Sequence, residues 1–127
     1  MSICFIILAA GQSKRLNSII PKPYIDYKGR PIVQHSIDKA KKCKKISKII
    51  LVVNKKHTKF LNKISKKNIK IIYGGKARAE SSYNGVKSIR KNNIKKVLIH
   101  DAARPNFSLK LLNKIVDTLK KNKSVIP

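Results

Sequence analysis

The pattern of hydrophobic and polar positions along the chain has two periods, one typical of buried strands and one typical of helices. Unbroken apolar runs predict strands buried on both faces at 3–8 and 49–53, and largely apolar stretches predict two further strands at 69–73 and 96–99. Apolar residues spaced three and four positions apart predict helices at 31–45, 60–64, 79–90 and 109–119. Strands that alternate with helices form parallel βαβ units, so the sequence predicts an α/β fold whose sheet is covered on both sides.

Two further predictions concern the later part of the chain. In the helix predicted at 79–90, Ser82, Val86 and Ile89 share the face expected to turn toward the sheet. Residues 124–126 have the character of the first part of a fifth strand, which would leave the sheet incomplete at its C-terminal side. The chain shows no linker or internal repeat, so residues 1–127 are expected to belong to one domain.

The chain is strongly basic, with 31 Lys and Arg residues against 5 Asp and Glu residues and a formal net charge of +26. Such a charge is typical of proteins that bind nucleic acids or anionic membranes. However, 26 of these basic residues are lysine, and Lys, Ile and Asn, which AT-rich codons favour, together occupy 56 positions. Arginine, which recognises phosphates and base edges best, is scarce. The composition therefore indicates codon bias with a weak attraction for anionic substrates, and it argues against a nucleic-acid partner.

The cysteines and the apolar runs bear on the cellular compartment. Cys4 and Cys43 match no metal-binding or redox spacing, so both are expected to be buried, reduced thiols. The longest apolar run, Ile3 to Ala10, is far shorter than the roughly 20 residues that span a bilayer. No basic segment precedes it, as a signal peptide requires. These features predict a cytoplasmic protein without a membrane partner.

Small, polar or charged residues follow three of the predicted strands, where ligands bind in parallel α/β sheets. The first such segment is the glycine loop, residues 9–15. Its small residues let backbone N–H groups approach an anion, and Lys14 and Arg15 add positive charge. The loop matches neither the GxxxxGK[ST] nor the GxGxxG phosphate motif. The alternative interpretation is a simple glycine turn followed by two surface bases.

Lys22 follows the glycine loop and lies between Pro21 and Pro23. Because the prolines restrict the backbone, they hold the ammonium group in one region rather than leaving it free in solvent. The second strand-end segment, 74–82, combines two glycines with Ser81, and it suits a base or ribose lying against the backbone. The alternatives are an exposed loop lysine and an ordinary serine at a helix N-terminus.

The third segment is the hexapeptide His100-Asp101-Ala102-Ala103-Arg104-Pro105. Asp101 suits a metal ion or a ribose hydroxyl, and Arg104 suits a phosphate or the Asp101 carboxylate. The alternative is a purely structural ion pair between Asp101 and Arg104.

Together these segments resemble the 2-C-methyl-D-erythritol 4-phosphate cytidylyltransferases of the non-mevalonate isoprenoid pathway. The resemblance runs from Ile6 to the last residue, and its most specific part is the hexapeptide at 100–105. Its other motifs, in order, are Ala9-Ala10-Gly11 with Lys14-Arg15, Pro21-Lys22, and Gly74-Gly75 with Arg78 and Ser81. The resemblance implies a three-layer, Rossmann-like nucleotidyltransferase fold with a mostly parallel sheet.

The resemblance also implies an activity, the transfer of CMP from CTP to 2-C-methyl-D-erythritol 4-phosphate with release of pyrophosphate and with Mg²⁺ as cofactor. In the family, the residues that match Arg15 and Lys22 stabilise charge on the attacked α-phosphate. The residues implied to line the nucleotide pocket are Ala9, Ala10, Gly11, Gly75, Ser81, Asp101, Ala102 and Arg104. Asp101 is also the candidate metal ligand.

The chain departs from the family pattern in three ways. Ser13 replaces the second loop glycine and Pro23 replaces a glutamine, although neither change removes a charged catalytic group. Family members also continue well beyond 127 residues, so residues 1–127 are expected to be the nucleotide-binding part of a single cytidylyltransferase domain. The acceptor-binding groups and the arm that forms the family's homodimer would lie outside them, and turnover by these residues alone is not expected.

Three other functions stay open at the level of sequence. A ribitol-5-phosphate cytidylyltransferase shares the nucleotide half, and the acceptor residues that separate the two are not in this sequence. A basic nucleotide-binding or nucleic-acid-binding protein without catalysis would explain the charge. An inert scaffold that keeps only nucleotide binding would explain the motifs.

Overall fold

The fold is known from a computed structural model that describes residues 3–11, 20–89 and 94–121. Its strands are β1 (Ile3–Ala9), β2 (Asp26–Tyr27), β3 (Arg30–Pro31), β4 (Lys48–Val53), β5 (Lys70–Tyr73) and β6 (Lys96–Asp101). Its α-helices are α1 (Ile32–Lys42), α2 (Arg78–Lys87) and α3 (Leu109–Lys121). Two 3-10 helices cover Lys22–Tyr24 and Lys55–Lys63.

Four of these strands form one parallel sheet in the order β5-β4-β1-β6. Every residue of β1 is buried, as the unbroken apolar run predicts for an inner strand. The four predicted strands are confirmed, each within two residues of its predicted bounds. The strand predicted at 124–126 lies outside the described residues.

Helices cover both faces of the sheet. Phe5 and Ile7 of β1 pack on one face with Val33 of α1 and Val116 of α3. The other face of β1, which includes Ile6, lies under α2. This three-layer arrangement confirms the predicted α/β class with a mostly parallel sheet.

The inner face of α2 differs from the one predicted. Ser81 and Gly85 are the buried residues of this helix, whereas Val86 is 43% exposed. A Cβ at Gly85 would lie 2.9 Å from the Cγ2 atom of Ile6, so the helix approaches the sheet through small residues. Ile89 is buried as predicted, but it follows the end of the helix. The prediction of Val86 as an inner residue was wrong because it followed side-chain hydrophobicity rather than close approach, whereas Ser82 is half-buried and its Oγ is buried.

Two connections also differ from the sequence expectation. The helix predicted at 60–64 is a 3-10 helix that begins earlier, at Lys55, and ends before Ile64. An antiparallel hairpin, β2 with β3, was not predicted. Its turn contains Lys28 at φ 50° and Gly29 at φ 83°, as in a two-residue hairpin loop. Lysine in place of the usual Asn or Asp hides this signal in the sequence.

Cys4 and Cys43 are both free and buried, which confirms the expectation of reduced thiols. Burial raises the pKa of the Cys4 thiol to about 11, so this group stays protonated at neutral pH. Within the described parts of the chain, no helix is both long enough and apolar enough to cross a membrane.

Candidate functional site

The carboxyl ends of the parallel strands lie side by side along one edge of the sheet. Ala9 of β1 pairs with Val53 of β4, and Val53 pairs with Tyr73 of β5. On the other side of β1, Leu8 pairs with Asp101 of β6. The glycine loop and the segments 74–82 and 100–105 therefore begin next to one another, at the edge where parallel α/β sheets bind ligands.

Gly74 is the point at which the segment after β5 contacts the glycine loop. Its N–H donates to the Val53 carbonyl at 2.8 Å, which continues the sheet by one residue. A Cβ at this position would lie 2.5 Å from the Ala10 Cβ and 2.4 Å from the Ser81 Oγ. Since real Cβ atoms essentially never come so close to other atoms, only glycine lets Ala10 and Ser81 meet here.

Ser81 is held in a buried position beside the two glycines. The residue is 4% exposed, and its Oγ accepts a hydrogen bond from the Gly75 N–H at 3.3 Å. A hydroxyl that accepts this bond still has its own proton to donate. Ser81 does not cap α2, because the N-cap residue is Ala77. The segment thus offers a fixed hydroxyl next to the strand ends.

Asp101 forms an ion pair with Arg78, with 3.1 Å between Nε and Oδ1. Arg78 is the first residue of α2 and Asp101 is the last residue of β6, so this pair joins the segments that follow the two outer strands. Both side chains are more than a third exposed, and an ion pair in such surroundings contributes at most about 1 kcal/mol. The Arg104 considered from the sequence meets Asp101 only through its backbone, where its N–H donates to the Asp101 carbonyl at 3.1 Å.

The turn after Asp101 is fixed by backbone and ring contacts. The N–H of Ala102 donates to the Leu8 carbonyl at 2.9 Å, and Ala102 itself is buried. The Nε2 of His100 lies 2.9 Å from the Arg104 carbonyl, and since a carbonyl only accepts, Nε2 carries the proton. Burial lowers the pKa of His100, so the ring is neutral at pH 7. Its stacking on Phe5, at 5.7 Å between ring centroids, anchors the turn to β1.

A cavity of about 570 Å³ opens beside this turn, between β6 and α3. Its walls are mainly apolar and include Leu98, Phe107 and Leu112, with Arg104 at one side. Apolar walls do not stabilise the charge of a phosphate group. The polar strand-end groups, rather than this cavity, therefore form the candidate functional site.

Lys22 begins the 3-10 helix Lys22–Tyr24 and is exposed, while Pro21 and Pro23 on either side are buried. Tyr24 is fully buried, and its ring stacks on Phe60 at 5.6 Å between centroids. The backbone on both sides of the lysine is therefore anchored. Arg15, the other residue assigned to catalysis, lies outside the described residues.

Sequence reasoning missed Asn54, which directly follows β4. Its Nδ2 donates to the carbonyl of Ala10 at 3.4 Å, and its Oδ1 accepts from the backbone N–H of Lys56 at 2.9 Å. It also missed the pairing of Arg78 with Asp101, although it had noted Arg78 as part of the family pattern. The signal for Asn54 was available, because it is a polar residue at the end of a buried strand, as Asp101 is.

The side chains at this edge of the sheet fit a metal ion only if a bound compound supplies further oxygen atoms. Within 3–11, 20–89 and 94–121, no group of three or more His, Cys, Asp or Glu residues lies close enough to hold a metal. Asp101 supplies one carboxylate at the strand ends. Mg²⁺ is commonly held by one or two carboxylates, with phosphate and water oxygens completing its shell. The edge therefore suits a metal that binds together with a phosphorylated compound.

Comparisons with known proteins agree with this arrangement. The family model for 2-C-methyl-D-erythritol 4-phosphate cytidylyltransferase matches residues 3–127. The bifunctional enzyme IspD/IspF of Pelagibacter ubique is 65% identical over 127 residues, which are 100% of this chain and 34% of that protein. The 2-C-methyl-D-erythritol 4-phosphate cytidylyltransferase of Clostridioides difficile is 38% identical over 126 residues, which cover 95% of this chain and 53% of the relative.

A solved structure gives the same result for the fold. The 4-diphosphocytidyl-2C-methyl-D-erythritol synthase of Anaerococcus prevotii superposes with a TM-score of 0.76 at 34% sequence identity. The match covers 94% of this chain and 51% of that protein. The chain thus spans about a third to a half of the length of these relatives.

Proposed function

Because this chain belongs to the 2-C-methyl-D-erythritol 4-phosphate cytidylyltransferase family, we propose that it provides the CTP-binding part of such an enzyme. The whole enzyme would transfer CMP from CTP to 2-C-methyl-D-erythritol 4-phosphate and release pyrophosphate, a step in isoprenoid precursor synthesis. Residues 1–127 would form the nucleotide-binding part of one catalytic domain. This division is supported by the share of the relatives' length that the chain covers.

The observation that carries the proposal is the convergence of three segments at one sheet edge. Ala10 and Ser81 meet across Gly74, and Ala102 is bonded to the end of β1. We assign the cytidine pocket to Ala9, Ala10, Gly11, Gly75, Ser81, Asp101, Ala102 and Arg104. Gly11 is exposed and Gly75 is half-buried, so a base and ribose would lie against the main chain at these glycines, and the Ser81 hydroxyl and Asp101 carboxylate would offer hydrogen bonds.

The proposed reaction is an in-line displacement at the α-phosphorus of CTP. An oxygen of the acceptor phosphate forms a new P–O bond, and the bond from the α-phosphorus to the oxygen that bridges to the β-phosphorus breaks. Pyrophosphate leaves with that oxygen and the electron pair. The acceptor phosphate is already ionised near neutral pH, since its second pKa is about 6, so no general base is needed. The protein's task is to align the groups and to place cations where negative charge develops.

Lys22 and Arg15 are the groups to which we assign that charge stabilisation. The anchored backbone around Lys22 supports the assignment, because a pre-positioned cation stabilises a transition state without reorganisation. Mg²⁺, held in part by Asp101, would neutralise charge on the triphosphate when bound.

The proposal includes a compartment and an assembly. Cytoplasmic location is supported by two cysteines that are buried and free rather than disulfide-bonded. The proposed partners are CTP and a sugar-alcohol phosphate, with no membrane and no nucleic acid. The homodimer of the family would form through parts of the enzyme other than these residues.

A chimera tests the catalytic assignment. Residues 1–127 replace the matched third of the Pelagibacter ubique relative, and pyrophosphate release is measured with CTP and 2-C-methyl-D-erythritol 4-phosphate. We expect Lys22→Ala to lower kcat by about 10²–10³-fold, because one charge-stabilising group is lost. The Kd for CTP should change by less than about threefold, since the effect lies in the transition state.

The matched control is Lys28→Ala, which removes an exposed lysine from the β2–β3 turn. It should leave kcat unchanged. An unaltered kcat in Lys22→Ala, or an equal loss in Lys28→Ala, would show that Lys22 has no specific catalytic role. Turnover with ribitol 5-phosphate in place of the methylerythritol compound would not count against the site, because the chimera takes its acceptor half from the relative.

A further inference from the structure

Asn54 lies beside the glycine loop without any part in the function proposed above. It directly follows β4, and the parallel register that pairs Ala9 with Val53 brings Asn54 alongside Ala10. The side chain is half-buried, and both ends of its amide are used. It therefore connects the end of one strand with the first turn of the loop that follows its neighbour.

The two contacts determine the orientation of the amide group. The Lys56 N–H can only donate, so the atom that faces it at 2.9 Å must be Oδ1. The Ala10 carbonyl can only accept, so the atom 3.4 Å from it must be Nδ2. Each contact selects the same orientation, and a side-chain amide offers the acceptor and the donor on two separate atoms. An aspartate would cap the 3-10 helix equally well but has no donor for the Ala10 carbonyl. A serine hydroxyl would also cap it, but it ends one bond short of the Nδ2 position, which is itself 3.4 Å from that carbonyl.

The bond to Ala10 has a consequence one atom further along the chain. The carbonyl of Ala10 and the N–H of Gly11 belong to one planar, trans peptide unit, in which they point in opposite directions. When Asn54 holds the carbonyl toward β4, the Gly11 N–H points away from β4. Gly11 is exposed, and no described atom outside its chain neighbours comes within 4 Å of where its Cβ would lie, so the described residues leave space for a ligand beside Gly11.

We propose that Asn54 is a positioning residue that aims the Gly11 N–H at the phosphate groups of the bound nucleotide. This inference rests on the proposed function, because it takes the glycine loop as the phosphate site. Asn54 does not contact the nucleotide in this account. It acts through the Ala10–Gly11 peptide, whose carbonyl it holds.

The first test concerns the contact alone and needs no ligand. In the 127-residue chain, Asn54→Ser keeps a neutral cap for the Lys56 N–H but removes the Nδ2 group and leaves a side chain too short to reach the Ala10 carbonyl. We expect the Ala10 carbonyl carbon and Gly11 amide resonances to shift in NMR spectra, while the melting temperature stays within about 2 °C. The control is Asn62→Ser, which changes an exposed Asn in the same 3-10 helix. If both resonances of Asn54→Ser match the wild type, Asn54 does not hold this peptide and the inference is wrong.

The second test concerns the phosphate. Titration of the same variants with CTP and with tripolyphosphate, both with Mg²⁺, should give a Kd about tenfold weaker for Asn54→Ser and an unchanged Kd for Asn62→Ser. Asn54→Asp should weaken both ligands further, since it places a carboxylate near the phosphates.

The outcomes separate the inference from the function on which it rests. If tripolyphosphate shows the predicted differences but CTP binds the wild type no better than tripolyphosphate does, the positioning role holds and the cytidine assignment fails. If the wild type binds CTP selectively and Asn54→Ser binds it equally well, the function holds and the positioning role fails. Binding of neither ligand by the wild type would overturn both.

Discussion

Gly74 shows how a single position without a side chain brings the site together. Ala10 and Ser81 both lie against it, at distances that leave no space for a Cβ. Gly11 is different, because the space around it is open in the described part of the molecule and its φ is not in the left-handed region. Packing therefore explains why glycine is required at position 74. At position 11, glycine is expected to be required only for the approach of a ligand.

This difference gives a paired prediction. Gly74→Ala should lower the free energy of unfolding by about 1–3 kcal/mol, because overpacking forces Ala10 and Ser81 apart. Gly11→Ala should change it by less than about 0.5 kcal/mol, as at most exposed positions, and should weaken CTP binding instead. Urea unfolding of both variants, followed by CTP titration, measures each effect. Equal stability losses in the two variants would contradict the packing argument.

At the scale of elements, the short 3-10 helix Lys22–Tyr24 depends on one aromatic ring. Tyr24 is fully buried against Phe60, and its hydroxyl has no hydrogen-bond partner among the residues that the structure describes. Burial accordingly raises the pKa of Tyr24 to about 12. The ring, rather than the hydroxyl, therefore anchors the turn that carries Lys22.

Substitutions of Tyr24 separate the contribution of its ring from that of its hydroxyl. Tyr24→Phe should keep the free energy of unfolding within about 1 kcal/mol or raise it, because an unpaired buried hydroxyl stabilises nothing. Tyr24→Leu should lower kcat in the chimera by about tenfold or more while the Kd for CTP changes little, since Lys22 loses its fixed position. Stopped assays of pyrophosphate release measure kcat. A larger effect from Tyr24→Phe than from Tyr24→Leu would assign the anchoring to the hydroxyl.

Elements with strong periodicity were predictable from the sequence, and elements that depend on backbone approach were not. Unbroken apolar runs located the two inner strands, β1 and β4, because burial on both faces leaves no polar position. Largely apolar stretches located the outer strands β5 and β6, which are only partly buried. The inner face of α2 was mispredicted because Gly85 packs through its lack of a side chain. The β2–β3 hairpin was missed because Lys28 takes a positive φ that lysine rarely adopts.

The residues of the candidate site were likewise predictable from the sequence in part only. Residues in the segments that follow the strands, such as Ser81 and Asp101, were identified from topology and from the family resemblance. The side-chain contacts within the site were not predicted. The Arg78–Asp101 pair and the Asn54–Ala10 bond join residues that are 23 and 44 positions apart in the sequence. Side-chain pairing over such separations depends on how helices pack on the sheet, and hydrophobic periodicity carries no information about it.

At the scale of the whole molecule, charge is the main alternative explanation for any affinity for nucleotides. No acidic residue occurs between Asp38 and Glu80, and the formal net charge of the chain is +26. Such a surface attracts every polyanion, and this attraction weakens as salt rises. A cytidine pocket instead discriminates between bases that carry the same triphosphate. Selectivity at physiological salt therefore separates a built site from charge alone.

The central claim is tested most directly by the melting temperature of the 127-residue chain with Mg²⁺ and CTP, ATP, GTP or tripolyphosphate at equal concentrations in 0.15 M salt. A ligand at about 100 times its Kd stabilises the folded state by about 2.7 kcal/mol. A cytidine pocket should give an upward shift with CTP that clearly exceeds the shifts with the other three. Equal shifts with all four ligands, or no shift with CTP, would contradict it.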